Sequence, residues 1–112
     1  MVQWGDHTVV FEKMPGGTDP SDSYKGLPDD RCQCRHFGVL QKGKMIIRYG
    51  DSEEMVTAGQ AYYIEPGHLP YIVEDAEVIE FTLTEELKRT IEAAARNAAQ
   101  SGTSGEGSGA GG

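Results

Sequence analysis

The chain is short of cations, of cysteine and of long apolar runs, and each shortage excludes something. Ten Lys and Arg stand against 18 Asp and Glu in 112 residues, a formal net charge of -8. Such a chain repels a phosphate backbone, and no basic stripe offsets the repulsion, so general nucleic-acid binding is excluded. No apolar run approaches the roughly 18 residues of a membrane helix. The opening residues MVQWGDHTVVFEK lack a basic head followed by an apolar stretch, so no secretory signal is expected and the cytoplasm is the expected compartment. The only two cysteines, Cys32 and Cys34, are two apart. On a strand their Cα atoms would lie about 6.5–7 Å apart, at or beyond disulfide reach. Two thiols beside a histidine read better as metal ligands or a redox pair. The plainer reading is two small buried hydrophobes.

What is present is one domain's worth of strand. The hydrophobic fraction, 38%, is lowered by the last twelve residues, SGTSGEGSGAGG, which offer almost nothing to bury. Thr8–Met14 is rich in β-branched residues and predicts a first strand. Pro15–Asp30, dense in Gly, Pro, Asp and Ser, predicts a long loop, either a lid or a solvated connector, with Tyr24 and Leu27 as its apolar anchors. Strands are expected over 31–42, with an irregularity at Gly38, then over 45–49, 54–57, 61–65, 70–74 and 77–83. Turns are expected at Lys42-Gly43-Lys44, Gly50-Asp51-Ser52, Ala58-Gly59-Gln60, Pro66-Gly67 and Glu74-Asp75. Short strands at this spacing predict an all-β, antiparallel sandwich or barrel. The period then changes. Thr84 can cap a helix over 84–100, with Leu87, Ile91, Ala94, Ala95 and Ala98 on its apolar side. The expected organisation is a β-barrel over 1–83, the helix, and a flexible Gly/Ser-rich tail over 101–112.

Chemistry concentrates between residues 32 and 68. Cys32, Cys34 and His36 recur at every second position, so on one strand all three project to one face. A further candidate ligand, His68, sits in the Pro66-Gly67-His68 turn. Tyr62 and Tyr63 point in opposite directions on their strand, so one of them is expected inside. Glu80 is either an inward base or a solvent-facing glutamate. Trp4 is read as a cover for one end of the barrel.

These residues resemble the cupin superfamily. The resemblance rests on Cys32-Gln33-Cys34-Arg35-His36, on the glycine cadence VLQKG at 39–43, and on AGQAYYIEPGH at 58–68, and it covers 9–83. It implies a small jelly-roll β-barrel with a central pocket, many relatives holding one divalent metal there. The pattern departs from the usual three-histidine, one-glutamate set. Counted back from Gly43, His36 falls near the glutamate position, Cys32 near the second histidine and Asp30 near the first. Cys34 has no counterpart, and Pro70 stands where the second-motif histidine is expected. The resemblance also implies a homodimer paired through sheet edges, with the C-terminal helix as the alternative contact.

If Cys32, Cys34, His36 and His68 converge, two thiolates and two imidazoles suit tetrahedral zinc, with ferrous iron or copper the further candidates. Asp30, Tyr62, Tyr63 and Glu80 are expected to line the pocket or support the ligands. The leading expectation is a metal-dependent oxidoreductase of dioxygenase type acting on a small molecule. The alternative is a non-catalytic module that binds a metal or small ligand as sensor, carrier or regulator. A metal-free Cys32/Cys34 dithiol is the third reading.

Overall fold

The computed structural model describes residues 1–103. Six strands precede one helix: β1 (Val2–Trp4), β2 (His7–Met14), β3 (His36–Arg48), β4 (Glu53–Thr57), β5 (Ala61–Ile64), β6 (Leu69–Leu83) and α1 (Thr84–Thr103). Every pairing is antiparallel, in the order β1-β2-β6-β3-β4, and β5 joins β3 on the same edge as β4. The hydrogen-bonded path does not close on itself among these residues. The result is a jelly-roll-type sheet with a C-terminal helix.

Two long strands replace four expected short ones. Residues 36–48 form one strand rather than two, and residues 69–83 likewise. The turn signal at Lys42-Gly43-Lys44 is used as a bulge: the β3–β6 register shifts three times between Leu40 and Met45. Gly43 sits there at φ 91°, a conformation that favours glycine. Opposite it, Glu74-Asp75 stays in the ladder instead of turning. A bulge bends a strand and adds twist, so both strands fold over, and their two halves share one core of Leu40, Met45, Ile47, Ile72, Ala76 and Val78. β5 pairs the first half of β3 through Val39↔Ala61, and β4 pairs the second half through Met45↔Val56.

The loop before β3 is a wall, not a free lid. It contains two 3-10 turns, Pro20–Tyr24 and Pro28–Asp30. Gly17 N–H donates to Ile72 O (2.7 Å) and Ile72 N–H to Thr18 O (3.0 Å), extending the ladder beside β6. Asn97 of α1 donates through Nδ2 to the carbonyls of Ser23 and Lys25, both at 2.9 Å.

The helix starts at Thr84 and runs to Thr103, into the stretch expected as tail; the rest of that tail lies outside the described residues. Its inward side is rotated from the expected stripe. Ala93 is fully buried and Glu86, Leu87, Thr90, Ala94 and Asn97 are half-buried, whereas Ile91 is 50% exposed and Ala95 and Ala98 face out. Polar Thr90 and Asn97 face inward because they have partners there, which an apolar-stripe reading cannot anticipate. Among the described residues, no helix is long and apolar enough to cross a membrane.

Candidate metal centre

The stretch Cys32–His36 is not a regular strand. Strand β3 begins only at His36, and Cys32 instead forms an isolated bridge to His68. Cys32 N–H donates to His68 O (3.1 Å), His68 N–H to Cys32 O (3.2 Å) and Gly67 N–H to the same Cys32 carbonyl (2.8 Å). Three residues on a flat strand would hold their side chains roughly 7 Å apart. The irregular backbone brings one ligand atom each of Cys32, Cys34 and His36 within 4.8 Å of one another. All three are buried, as is His68.

His68 stands just outside that trio. Its ring meets the His36 ring edge-on, with centroids 5.0 Å apart and planes at 72°. His68 Nδ1 lies 2.6 Å from Glu65 O. A carbonyl only accepts, so Nδ1 is the donor. His36 is set up alike. Its Nδ1 lies 2.8 Å from Thr82 Oγ1 and 3.2 Å from Glu80 Oε2. The carboxylate fixes the proton on Nδ1, and Nε2 faces Cys32 Sγ at 3.7 Å. Glu80 is held in turn by Tyr62, whose Oη donates at 2.7 Å.

Charge follows from this packing. The neighbouring Cys34 thiol, opposed by burial and aided by His36 and His68, holds the Cys32 thiol far below the usual thiol range. The Cys32 thiolate and burial together push Cys34 up. Cys34 Sγ accordingly donates to Glu86 O at 3.3 Å and lies 3.2 Å from Thr90 Oγ1. Burial pulls the His36 imidazolium down, but Cys32 and Glu80 outweigh it and the net shift is upward.

A cavity of about 290 Å³ opens beside the cluster. Cys32, His36, His68, Glu80 and Thr90 line it, and Glu12, Thr18 and Tyr24 stand at its wall; the rest is apolar, with Met45, Ile47, Ile72 and Leu87 among the lining. No lysine or arginine lines it. Burial and the charge of Glu80 raise the Glu12 carboxyl. Burial also raises the Tyr24 and Tyr62 phenols.

Two expected pocket residues lie elsewhere. Asp30 is exposed, and its carboxylate accepts from Gly26 N–H at 2.9 Å within the loop. Tyr63 is 45% exposed and stacks on Phe37 on the outer sheet face. Gly38 is no bulge: a Cβ there would lie 2.6 Å from Tyr62 Oη and 2.6 Å from Ile79 O, so glycine is what lets Tyr62 cross β3 to reach Glu80. Trp4 lies 61% exposed, its ring against Phe81. Sequence reasoning missed Thr82 and Thr90. Thr82 had a faint signal in the alternation of β6, whereas Thr90 had none, because the helix stripe was read from apolar residues alone.

The donor set suits a transition metal. Tetrahedral zinc with Zn–S near 2.3 Å and Zn–N near 2.0–2.1 Å places sulfur and nitrogen roughly 3.6 Å apart. The observed Cys32 Sγ to His36 Nε2 distance is 3.7 Å. A ligating histidine ordinarily donates its other N–H to a carboxylate or carbonyl, which both imidazoles do here.

Neither a family model nor a curated protein matches the sequence. Solved structures do match. A cupin-2 domain protein from Shewanella frigidimarina superposes with a TM-score of 0.50 at 16% identity, over 71% of this chain and 72% of that one. A conserved protein of unknown function from Streptococcus pyogenes gives 0.55 at 18% identity, over 74% and 68%. A cupin superfamily protein from Desulfitobacterium hafniense gives 0.56 at 9% identity, over 74% and 72%. Identities this low carry the fold and nothing finer: the chain shares its fold with these cupin structures and carries a cysteine–histidine cluster in its pocket wall.

Proposed function

We propose that the chain is a metal-dependent enzyme acting on a small molecule in this cavity, an oxidoreductase of dioxygenase type. One observation carries the reading: His36 is held through Nδ1 by Thr82 and Glu80 with Nε2 facing Cys32 Sγ, and His68 is held through Nδ1 by Glu65 O beside it, at the wall of a largely apolar cavity. Cys32, Cys34 and His36 would hold one divalent ion, zinc or iron with copper the third candidate, and the remaining position would face the cavity. An ion there supplies Lewis acidity toward a bound oxygen atom and, as iron, redox chemistry toward dioxygen.

The chain's own residues divide the remaining work. Glu80 takes the Nδ1 proton of His36 as a hydrogen bond and keeps the ring in the ligating tautomer. Because Glu80 also lines the cavity, its carboxylate is placed to accept a proton from a bound molecule. Thr90 steadies Cys34 from the helix side. The apolar wall keeps bulk water from the reacting atoms. With two glutamates and neither lysine nor arginine lining it, the cavity favours a neutral or cationic substrate over an anion.

A second reading has its own observation behind it. His68 is buried beside the trio, its ring edge-on to that of His36 and its Nδ1 held by Glu65 O. As a fourth ligand it would close the site, and the chain would then be a sensor or carrier without an open position. Elemental mass spectrometry on protein purified without chelators or a histidine tag tests both. The enzyme reading expects about one equivalent of iron or another redox metal, lost in His36→Ala. One equivalent of zinc that needs all four residues would favour the closed site. Protein that stays metal-free after every growth condition would overturn both.

A further inference from the structure

Most polar side chains that line the cavity are satisfied within the chain. The two imidazoles, Cys32, Glu80 and Thr90 are bonded to one another or to the supports already described. Thr18 donates through Oγ1 to Pro15 O at 2.6 Å. Tyr24 and Glu12 line the same cavity, and neither side chain has a hydrogen-bond or ion-pair partner among the described residues.

The placement of these two is specific. On the β2–β6 ladder Glu12 opposes Val78 and Val10 opposes Glu80. Glu12 is therefore a diagonal neighbour of Glu80 on the inward face, at a Cα separation of roughly 7–8 Å. Glu80 is matched by His36 and Tyr62, whereas no cation of the chain meets Glu12, which is exposed where the cavity opens to solvent. Tyr24, half-buried, enters from the first 3-10 turn of the loop. Burial, then the charges of Cys32, Glu80, Cys34 and Glu12, raise its phenol, so at neutral pH it is a hydrogen-bond donor with acids around it. A buried tyrosine hydroxyl ordinarily finds a partner. The cavity wall thus presents one unclaimed donor and one unclaimed anion, backed by Met45, Ile47 and Ile72.

We propose that Tyr24 and Glu12 are the ligand-recognition pair of this cavity and that they take a small amine carrying a hydroxyl or carbonyl oxygen. Its ammonium pairs with Glu12, its oxygen accepts from Tyr24 Oη, and its hydrocarbon body lies along the apolar wall. The assignment rests on the cavity's being the substrate site and adds the substrate class. A second metal ion is the other claimant of a lone carboxylate, but Glu12 belongs to no cluster of ligating side chains among the described residues. The volume of about 290 Å³ is at the lower end of small-molecule sites and restricts the class to small molecules.

One test needs no ligand. Side chains that serve a ligand and not the fold are lost without cost to the fold. Tyr24→Phe and Glu12→Gln are therefore expected to melt at or above the wild type, and a lower melting temperature in either overturns the proposal. The second test is an NMR chemical-shift titration of the protein as purified, with its metal content measured on the same samples. The probes are 2-amino-1-phenylethanol, phenethylamine (no hydroxyl), 1-phenylethanol (no amine) and the anion mandelate. The wild type is expected to bind the first about 5–10-fold more tightly than either truncated probe, and mandelate not measurably. Tyr24→Phe should erase only the preference over phenethylamine, and Glu12→Gln only the preference over 1-phenylethanol. No binding of 2-amino-1-phenylethanol, or preferences that survive both substitutions, overturns the pair. Both readouts are independent of turnover. Metal-free protein that shows these preferences sinks the enzyme reading and keeps the pair, whereas metal-loaded protein without them sinks the pair alone.

Discussion

Cys32 and His68 are bonded main chain to main chain in both directions, at 3.1 and 3.2 Å. The bridge fixes the turn that carries the His68 ring and does not depend on that ring. His68→Ala should therefore fold, with a lower melting temperature from the buried volume lost. In the three-ligand site it keeps its metal but releases it to a competing chelator about 10–100-fold more readily, because a supporting neighbour is gone. His36→Ala and Cys32→Ser should lose the metal outright. If His68→Ala is as metal-free as His36→Ala, the three-ligand set is wrong and the closed site stands.

Glu80 acts on the metal through His36. Glu80→Gln preserves shape but removes the charge that helps hold the proton on Nδ1, 3.2 Å away. Metal affinity measured by chelator competition should fall about 10–100-fold. Tyr62→Phe removes only the 2.7 Å hydrogen bond to Glu80 and should cost less. Equal affinities in Glu80→Gln and wild type would show that Glu80 does not orient the ligand.

Much of this was legible in the sequence because it depends on local pattern. The Cys-x-Cys-x-His spacing and the Pro-Gly-His turn predict a cluster of donors, and the structure brings Cys32, Cys34 and His36 together with His68 beside them, though on an irregular segment and not on one strand face. The misreadings are all non-local. Gly43 looks like a turn until β6 is laid against it as a bulge. Asp30 and Cys32 share a sequence neighbourhood, but Asp30 turns outward because Gly26 N–H claims its carboxylate. Thr90 is silent because the thiols it meets lie more than fifty residues earlier in the chain. Tyr62 and Tyr63 could be assigned opposite faces but not told apart until the register to β3 was known.

Gly38 is a position where sign decides. Alanine in a strand ordinarily gains roughly 0.5–1 kcal/mol over glycine. Here its Cβ would meet Ile79 O and Tyr62 Oη, both at 2.6 Å, and the first of these is backbone. Overpacking of this kind costs about 1–3 kcal/mol, so the clash should win. Gly38→Ala is expected to lower the urea midpoint and to weaken metal binding as Tyr62 leaves Glu80. A neutral or stabilising outcome by urea unfolding would mean that the ring and the ladder shift freely.

Arg35 and Glu86 tie the helix to the cysteine segment. Arg35 N–H donates to Glu86 Oε1 at 2.9 Å, and its guanidinium pairs with the same carboxylate. The Arg35 side chain, then its backbone N–H, holds the Glu86 carboxyl below its ordinary value of 4.5. A carboxyl with a lowered folded pKa stabilises the fold above its unfolded value, and that contribution disappears as pH falls through the lowered value. Glu86→Gln keeps an acceptor for Arg35 N–H and removes only the charge. It should melt below the wild type at neutral pH, with the gap closing as pH drops below 4.5 and shrinking with added salt. Because Glu86 O and Thr90 both meet Cys34, the same variant should also loosen the metal modestly. Melting curves that stay parallel through the acid range would place the stability of this contact in the backbone hydrogen bond and not in the ion pair.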